Sequence, residues 1–242
     1  MTRKIGTFTG KITAAATFSA VIIAGLAISS SPGRAEKDDQ GSESSQVQIG
    51  FNAAPVPLNL AGKNRGLVGL GSYLVNVQSE CNGCHSAGPA TEYTGNPYLF
   101  APPSLTVHQT KKVNPATYLG GGRDFGPYPA PTSPLHIYSR NLTPDITGKP
   151  AGGLSYPEFA NMIRTGLDDD LIHPTCPANT AQTAHCVPYP FDGSLLQIMP
   201  WPAYQDLTDH DLRAIYEYLS AIPCIDTVVA GQPHLRHTCP GH

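Results

Sequence analysis

Charged side chains are scarce in this 242-residue chain: Lys, Arg, Asp and Glu make up 14% of it, against 40% hydrophobic residues. Hydrophobic content at that level excludes a disordered chain and leaves a globular one, long enough for one sizeable domain or two small ones. Basic residues thin out further along the chain. Four of the 15 lie within residues 1–35 and none of the 18 acidic ones does, so the remainder carries a net charge of −7. A surplus of that sign argues against a nucleic-acid partner. No internal repeat is visible. There is no twin-Arg pair and no Cys near the end of the N-terminal apolar run, which excludes twin-arginine export and a lipid anchor.

What the N-terminus does have is a targeting pattern. Arg3, Lys4 and Lys11 precede an uncharged apolar run from Ile12 to Ile28, and Gly33-Arg34-Ala35 resembles a small-x-small cleavage site. Residues 1–35 are therefore expected to be a cleaved signal peptide that sends the chain to the periplasm. The alternative is an anchor helix over 12–28, which is at the short limit for a membrane span.

Pro and Gly are abundant, 24 each, and predict irregular backbone between short helices rather than an extended sheet. Residues 36–62 begin polar and read as a linker. Asn64 can cap a helix with Leu67, Leu70, Leu74 and Val77 on one face. Ser155 and Glu158 form a capping box that opens a second helix, with Phe159, Met162 and Ile163 inward and Gly166 as its stop. Thr208 and Asp211 open a third, with Leu207 and Leu212 as its staple. Leu212, Ile215, Leu219 and Ile222 form its stripe and Pro223 ends it. Residues 86–140 and 167–198 read as loop. The expected fold is mostly α.

One pentapeptide carries chemistry. In Cys81-Asn82-Gly83-Cys84-His85, two thiols spaced C-x-x-C can each add to a vinyl group of haem, and the adjoining His can ligate the iron. A thioredoxin-like pair would need a βαβ context, and a zinc site would need a second Cys/His pair at zinc spacing; the sequence has neither. Methionine, with three residues, leaves few choices for a sixth iron ligand. Met1 is the initiator, and Met162 sits on the inward face of a helix, where packing accounts for it. Met199, in Gln197-Ile198-Met199-Pro200-Trp201, lies in a Pro-stiffened loop before the last helix. A neutral, soft thioether there favours Fe(II).

Residues from about Arg65 to Pro223 resemble a class I cytochrome c domain of the kind found in the cytochrome subunits of bacterial alcohol, aldehyde and sugar-acid dehydrogenases. The matching pieces are Gly71-Ser72-Tyr73-Leu74-Val75, CNGCH, Tyr118 to Arg123, and Asn141-Leu142-Thr143-Pro144-Asp145. Ser155 to Gly166, Met199-Pro200-Trp201 and Leu207 through Leu219 complete the set. The resemblance implies a class I cytochrome c fold with long Pro/Gly-rich loop insertions. It also implies one covalent haem c with His85 and Met199 on the iron, Asn141, Pro200 and Trp201 beside it, and a helix crossing at Gly71, Tyr73 and Tyr218. Three departures stand out. This chain has a single CxxCH. Arg140 stands where a Pro, whose carbonyl orients the proximal His, often precedes the Asn. The stretch from Leu167 to Gln197 is longer than usual. The domain plan is then a signal peptide at 1–35, a linker at 36–62, a monohaem domain at 63–223 and a tail at 224–242.

With Cys81 and Cys84 assigned to haem, Cys176, Cys186, Cys224 and Cys239 are expected to form two disulfides in an exported chain. Three pairings are open; the nearest-neighbour one, 176–186 and 224–239, closes two short loops. Arg123 and Arg140 are candidate partners for haem propionates. Asp168-Asp169-Asp170 reads as a solvated loop. His108, His136, His173, His185, His210, His234, His237 and His242 read as surface or core residues, with His173 and His185 the next candidates for the sixth position. The expected function is a periplasmic one-electron carrier with redox-protein partners, a dehydrogenase or an oxidase or reductase. The alternative is a haem-bearing subunit of a periplasmic oxidoreductase with a catalytic or docking role. A membrane association is expected only if the N-terminal segment stays uncleaved.

Overall fold

The computed structural model describes residues 33–97, 112–178, 180–229 and 232–241. The expected signal segment, save its last three residues, lies outside these, as do His108 and His242. No helix among the described residues is long and apolar enough to cross a membrane.

Residues read as the start of a polar linker form a helix, α1 (Gly33–Ala53). Its last turns explain it. Val47 and Phe51, four apart and so on one face, pack into the apolar clusters around α2 (Arg65–Tyr73). The Ser72 hydroxyl donates to the Gly50 carbonyl at 2.7 Å across the same contact. A polar sequence does not forbid a helix, and tertiary packing on one stripe supplies what propensity lacks.

Asn64 caps α2 as the sequence predicts, its side-chain oxygen accepting from the N–H groups of Gly66 and Leu67. The helix runs on into a π-helical turn, Leu74–Gln78. After two single-turn helices, α3 (Cys81–His85) and α4 (Pro89–Glu92), comes an antiparallel pair, β1 (Asp124–Pro127) with β2 (His136–Tyr138). An irregular turn, α5 (Pro150–Gly153), leads into α6 (Tyr156–Thr165). There the Glu158 carboxylate accepts from the Ser155 N–H at 2.7 Å and from its hydroxyl at 2.6 Å. The short α7 (Trp201–Tyr204) precedes α8 (Asp209–Leu219), where the Thr208 hydroxyl accepts from the Asp211 N–H. A terminal hairpin, β3 (Thr227–Val229) with β4 (Gln232–His237), closes the chain.

Helices α2 and α8 cross at backbone distance. A Cβ placed on Gly71 would sit 1.9 Å from the Ala214 carbonyl oxygen and 2.7 Å from the Tyr218 Cβ, so only glycine fits. Gly71 and Tyr218 are thus at the crossing, and Tyr73 packs half-buried in the cluster of Leu70, Leu74 and Ala214. Two buried phenols seal it. Tyr118 and Tyr218 share a hydrogen bond at 2.8 Å, and the Asn76 amide donates to Tyr218 at 3.1 Å. Burial pushes both phenols above their ordinary pKa, so they stay protonated and able to donate. The principal core joins Val68, Tyr118, Leu119, Phe159, Leu212 and Leu219 from four separate stretches of chain.

Disulfides join Cys176 to Cys186 and Cys224 to Cys239, the nearest-neighbour pairing. Cys81 and Cys84 are left as free thiols.

Candidate functional site

A deep apolar cavity opens beside α3. With its mouth it encloses about 1610 Å³ not filled by protein atoms, and Cys81, Cys84 and His85 line it together with Met199 and Pro200. The remaining wall is mostly aliphatic and aromatic, with Val75, Leu142, Phe159, Ile163 and Leu212 among its members.

His85 is held from two directions. Its ring Nδ1 lies 2.8 Å from the Arg140 carbonyl oxygen. A carbonyl only accepts, so Nδ1 carries the proton and Nε2 is left with its lone pair. Its own carbonyl accepts from the Gly121 N–H at 2.7 Å. Gly121, at φ 69°, lies flat on the Arg140–Asn141 peptide; a Cβ there would be 2.5 Å from the Arg140 carbonyl carbon. This is the physical content of the Gly-Gly-Gly-Arg stretch: backbone must touch backbone behind the histidine. The carbonyl expected of a proline at position 140 is supplied by arginine just as well, because the bond does not involve the side chain.

The protein packed around His85 disfavours its charged form, and this outweighs the Arg140 carbonyl's opposite effect, so its pKa is lowered and the ring is neutral. Burial and the neighbouring Cys84 thiol push Cys81 up to about 12. A thiol so raised stays protonated in the free chain.

Met199 follows Ile198, which is held at φ 66°, an unusual conformation for a β-branched residue. Trp201 does not reach the cavity. Its ring fills the space over Gly166, where an added Cβ would lie 2.3 Å from it, and so locks the end of α6 to the Met199 loop. Met162 is buried in the core, as expected of it, and also forms part of the cavity wall. His173 lines the cavity, whereas His185 is exposed and is not among the lining residues.

Both arginines have protein partners, and Arg140 also lines the cavity. Arg123 donates to the Gly83 carbonyl, inside CNGCH, and its guanidinium lies 4.9 Å from the centre of the Phe125 ring. Arg140 donates to Asp168 at 2.8 Å and to Asp170. The expectation of a solvated loop holds at Asp169 and Asp170, which are exposed, and is corrected at Asp168, whose side chain is only 12% exposed because it pairs with an arginine similarly withdrawn from water. Asn141 is a structural hub. Its amide donates to the Ile225 carbonyl and the Thr227 hydroxyl, and its oxygen accepts from the N–H and hydroxyl of Thr143. Asn82, inside the pentapeptide, is buried and accepts from the Leu119 N–H at 2.9 Å. The sequence carries no local signal for that long-range bond.

The chain matches no family model. It is similar to the gluconate 2-dehydrogenase cytochrome c subunit of Pantoea cypripedii, 31% identical over 101 residues. The match covers 40% of this chain and 18% of that protein, so the chain spans less than a fifth of its relative.

Proposed function

We propose that this chain is a haem-bearing periplasmic subunit that passes single electrons between redox partners, built on a class I cytochrome c fold. What carries the reading is the convergence of two free thiols, a neutral imidazole and a thioether on one apolar cavity. These residues fit a covalent haem c. Cys81 and Cys84 would hold it through thioethers, and His85 Nε2 and the Met199 sulfur would ligate its iron. Bound there, haem supplies a one-electron iron couple. The chain's own residues do the rest: Arg140 and Gly121 hold His85, the aliphatic wall keeps water out, and Trp201 keeps the Met199 loop in place. The similarity to a dehydrogenase's cytochrome subunit supports a dehydrogenase as electron donor.

Replacing Cys81 and Cys84 together with Ala should abolish haem that survives denaturation, read by haem staining after gel electrophoresis. Full-strength staining of the double variant would overturn the assignment.

One observation favours a second reading. His173, an acid–base group, lines the same cavity, which a catalytic haem subunit would require. Ready binding of carbon monoxide by the wild-type protein would favour that reading over the carrier.

A further inference from the structure

Arg140 serves the site twice. Its carbonyl fixes the His85 ring, and its guanidinium is tied to Asp168 and Asp170. Arg140 and Asp168 both lie on the cavity wall, with their side chains 16% and 12% exposed. Asp168 in turn belongs to the other side of the cavity. Its N–H donates to the Ser194 carbonyl at 2.8 Å, Leu167 bridges to Leu195, and the Leu196 N–H donates to Gly166 at 2.7 Å. These backbone contacts tie Gly166–Asp168 to Ser194–Leu196, three residues before Met199.

We infer that the Arg140–Asp168 ion pair is a latch across the cavity wall that sets the His85 ring and couples it to the segment carrying Met199. Arg140 and Asp168 are positioning residues, and the inference rests on His85 being the iron ligand. The reason lies in the backbone. A proline at position 140 would fix its own φ, whereas an arginine leaves that torsion free. Backbone restrains position 140 on both sides, through Gly121 against the Arg140–Asn141 peptide and the Ser139 carbonyl accepting from the Gly122 N–H at 2.8 Å; the side chain adds a restraint toward the segment that carries Met199. A guanidinium forked between two carboxylates provides that restraint with directional bonds. Shielding from water makes the Asp168 arm matter more than the Asp170 arm, whose carboxylate is 54% exposed.

The test uses the exported full-length protein and reads two quantities besides electron-transfer activity. These are the equilibrium with a one-electron redox mediator and the hydrogen-exchange rate of the His85 Nδ1 proton by NMR. Asp168→Asn should speed that exchange severalfold and shift the mediator equilibrium severalfold toward the reduced protein. Both a weaker Nδ1 bond and the loss of a negative charge disfavour the more positive oxidised state. Asp170→Asn should move both quantities less. Arg140→Lys keeps the charge and the carbonyl but cannot fork, so it should speed exchange as Asp168→Asn does, separating position from charge. If Asp168→Asn keeps its covalent haem yet leaves both quantities at wild-type values, the latch is refuted. A wild-type chain without covalent haem would instead refute the proposed function, and ring-proton exchange in that chain would still decide whether the pair holds His85.

Discussion

Replacing Gly71 by Ala adds one methyl group at one of the tightest points among the described residues. The new Cβ would lie 1.9 Å from the Ala214 carbonyl oxygen and 2.5 Å from its carbon, where ordinary contact begins near 3.4 Å. The obstacle is backbone of α8, which has no rotamer to change, so the helices must separate by about 1.5 Å. Overpacking of this kind costs about 1–3 kcal/mol. Separation also stretches the Tyr118–Tyr218–Asn76 bonds, each contributing about 1 kcal/mol. The gain in helix propensity returns just under 1 kcal/mol. A net loss of about 2–4 kcal/mol follows, a large share of the ~5–15 kcal/mol that holds such a domain together. Urea denaturation followed by far-ultraviolet circular dichroism measures it, with Gly66→Ala as the control. Gly66 is exposed on the same helix and its nearest neighbour is the Asn64 side-chain oxygen at 3.3 Å, so that variant should match or exceed wild-type stability. Equal urea midpoints for Gly71→Ala and wild type would refute the close crossing.

Met199→Ala should abolish the weak far-red band of a sulfur-ligated ferric haem, lower the reduction potential and open the iron to carbon monoxide; Met162→Leu, a swap of similar volume in the core, should leave all three unchanged. The Ser155 hydroxyl and N–H hold the Glu158 carboxyl below its ordinary pKa, so the capping box is complete at neutral pH and is lost as pH falls through that lowered value. In Ser155→Ala, an NMR titration should find the Glu158 pKa moved up toward 4.5, and an unmoved value would contradict the box. Each disulfide closes a short loop, with its cysteines 10 and 15 residues apart, so replacing either pair with Ser should lower stability by about 3 kcal/mol, read from urea midpoints without reductant.

How much of this was legible in the sequence depended on whether the signal is local. Asn64, Ser155 with Glu158, and Thr208 with Asp211 were all readable because a cap is decided within four residues. The pentapeptide was readable for the same reason: its thiols and imidazole are adjacent. The chain direction along α1 was not, since Val47 and Phe51 become a stripe only once α2 is beside them. Nor was the fate of Arg140 and Asp168, 28 residues apart, legible. A triple-Asp run in a loop looks solvated until a distant arginine is folded against it. Trp201 was read as lying beside the bound group, whereas its ring seats on Gly166, a contact across 35 residues that no spacing encodes.

The hub at Asn141 has a consequence in time. Its two donor bonds end on Ile225 and Thr227, near the finish of the chain, so the support behind His85 is complete only after the final hairpin is in place. A polypeptide is made from its N-terminus. Cys81, Cys84 and His85 therefore emerge long before the residues that support them from behind. During that interval both thiols are open to any enzyme that modifies them. Closure of the tail then completes the support behind His85, while Cys84 stays exposed.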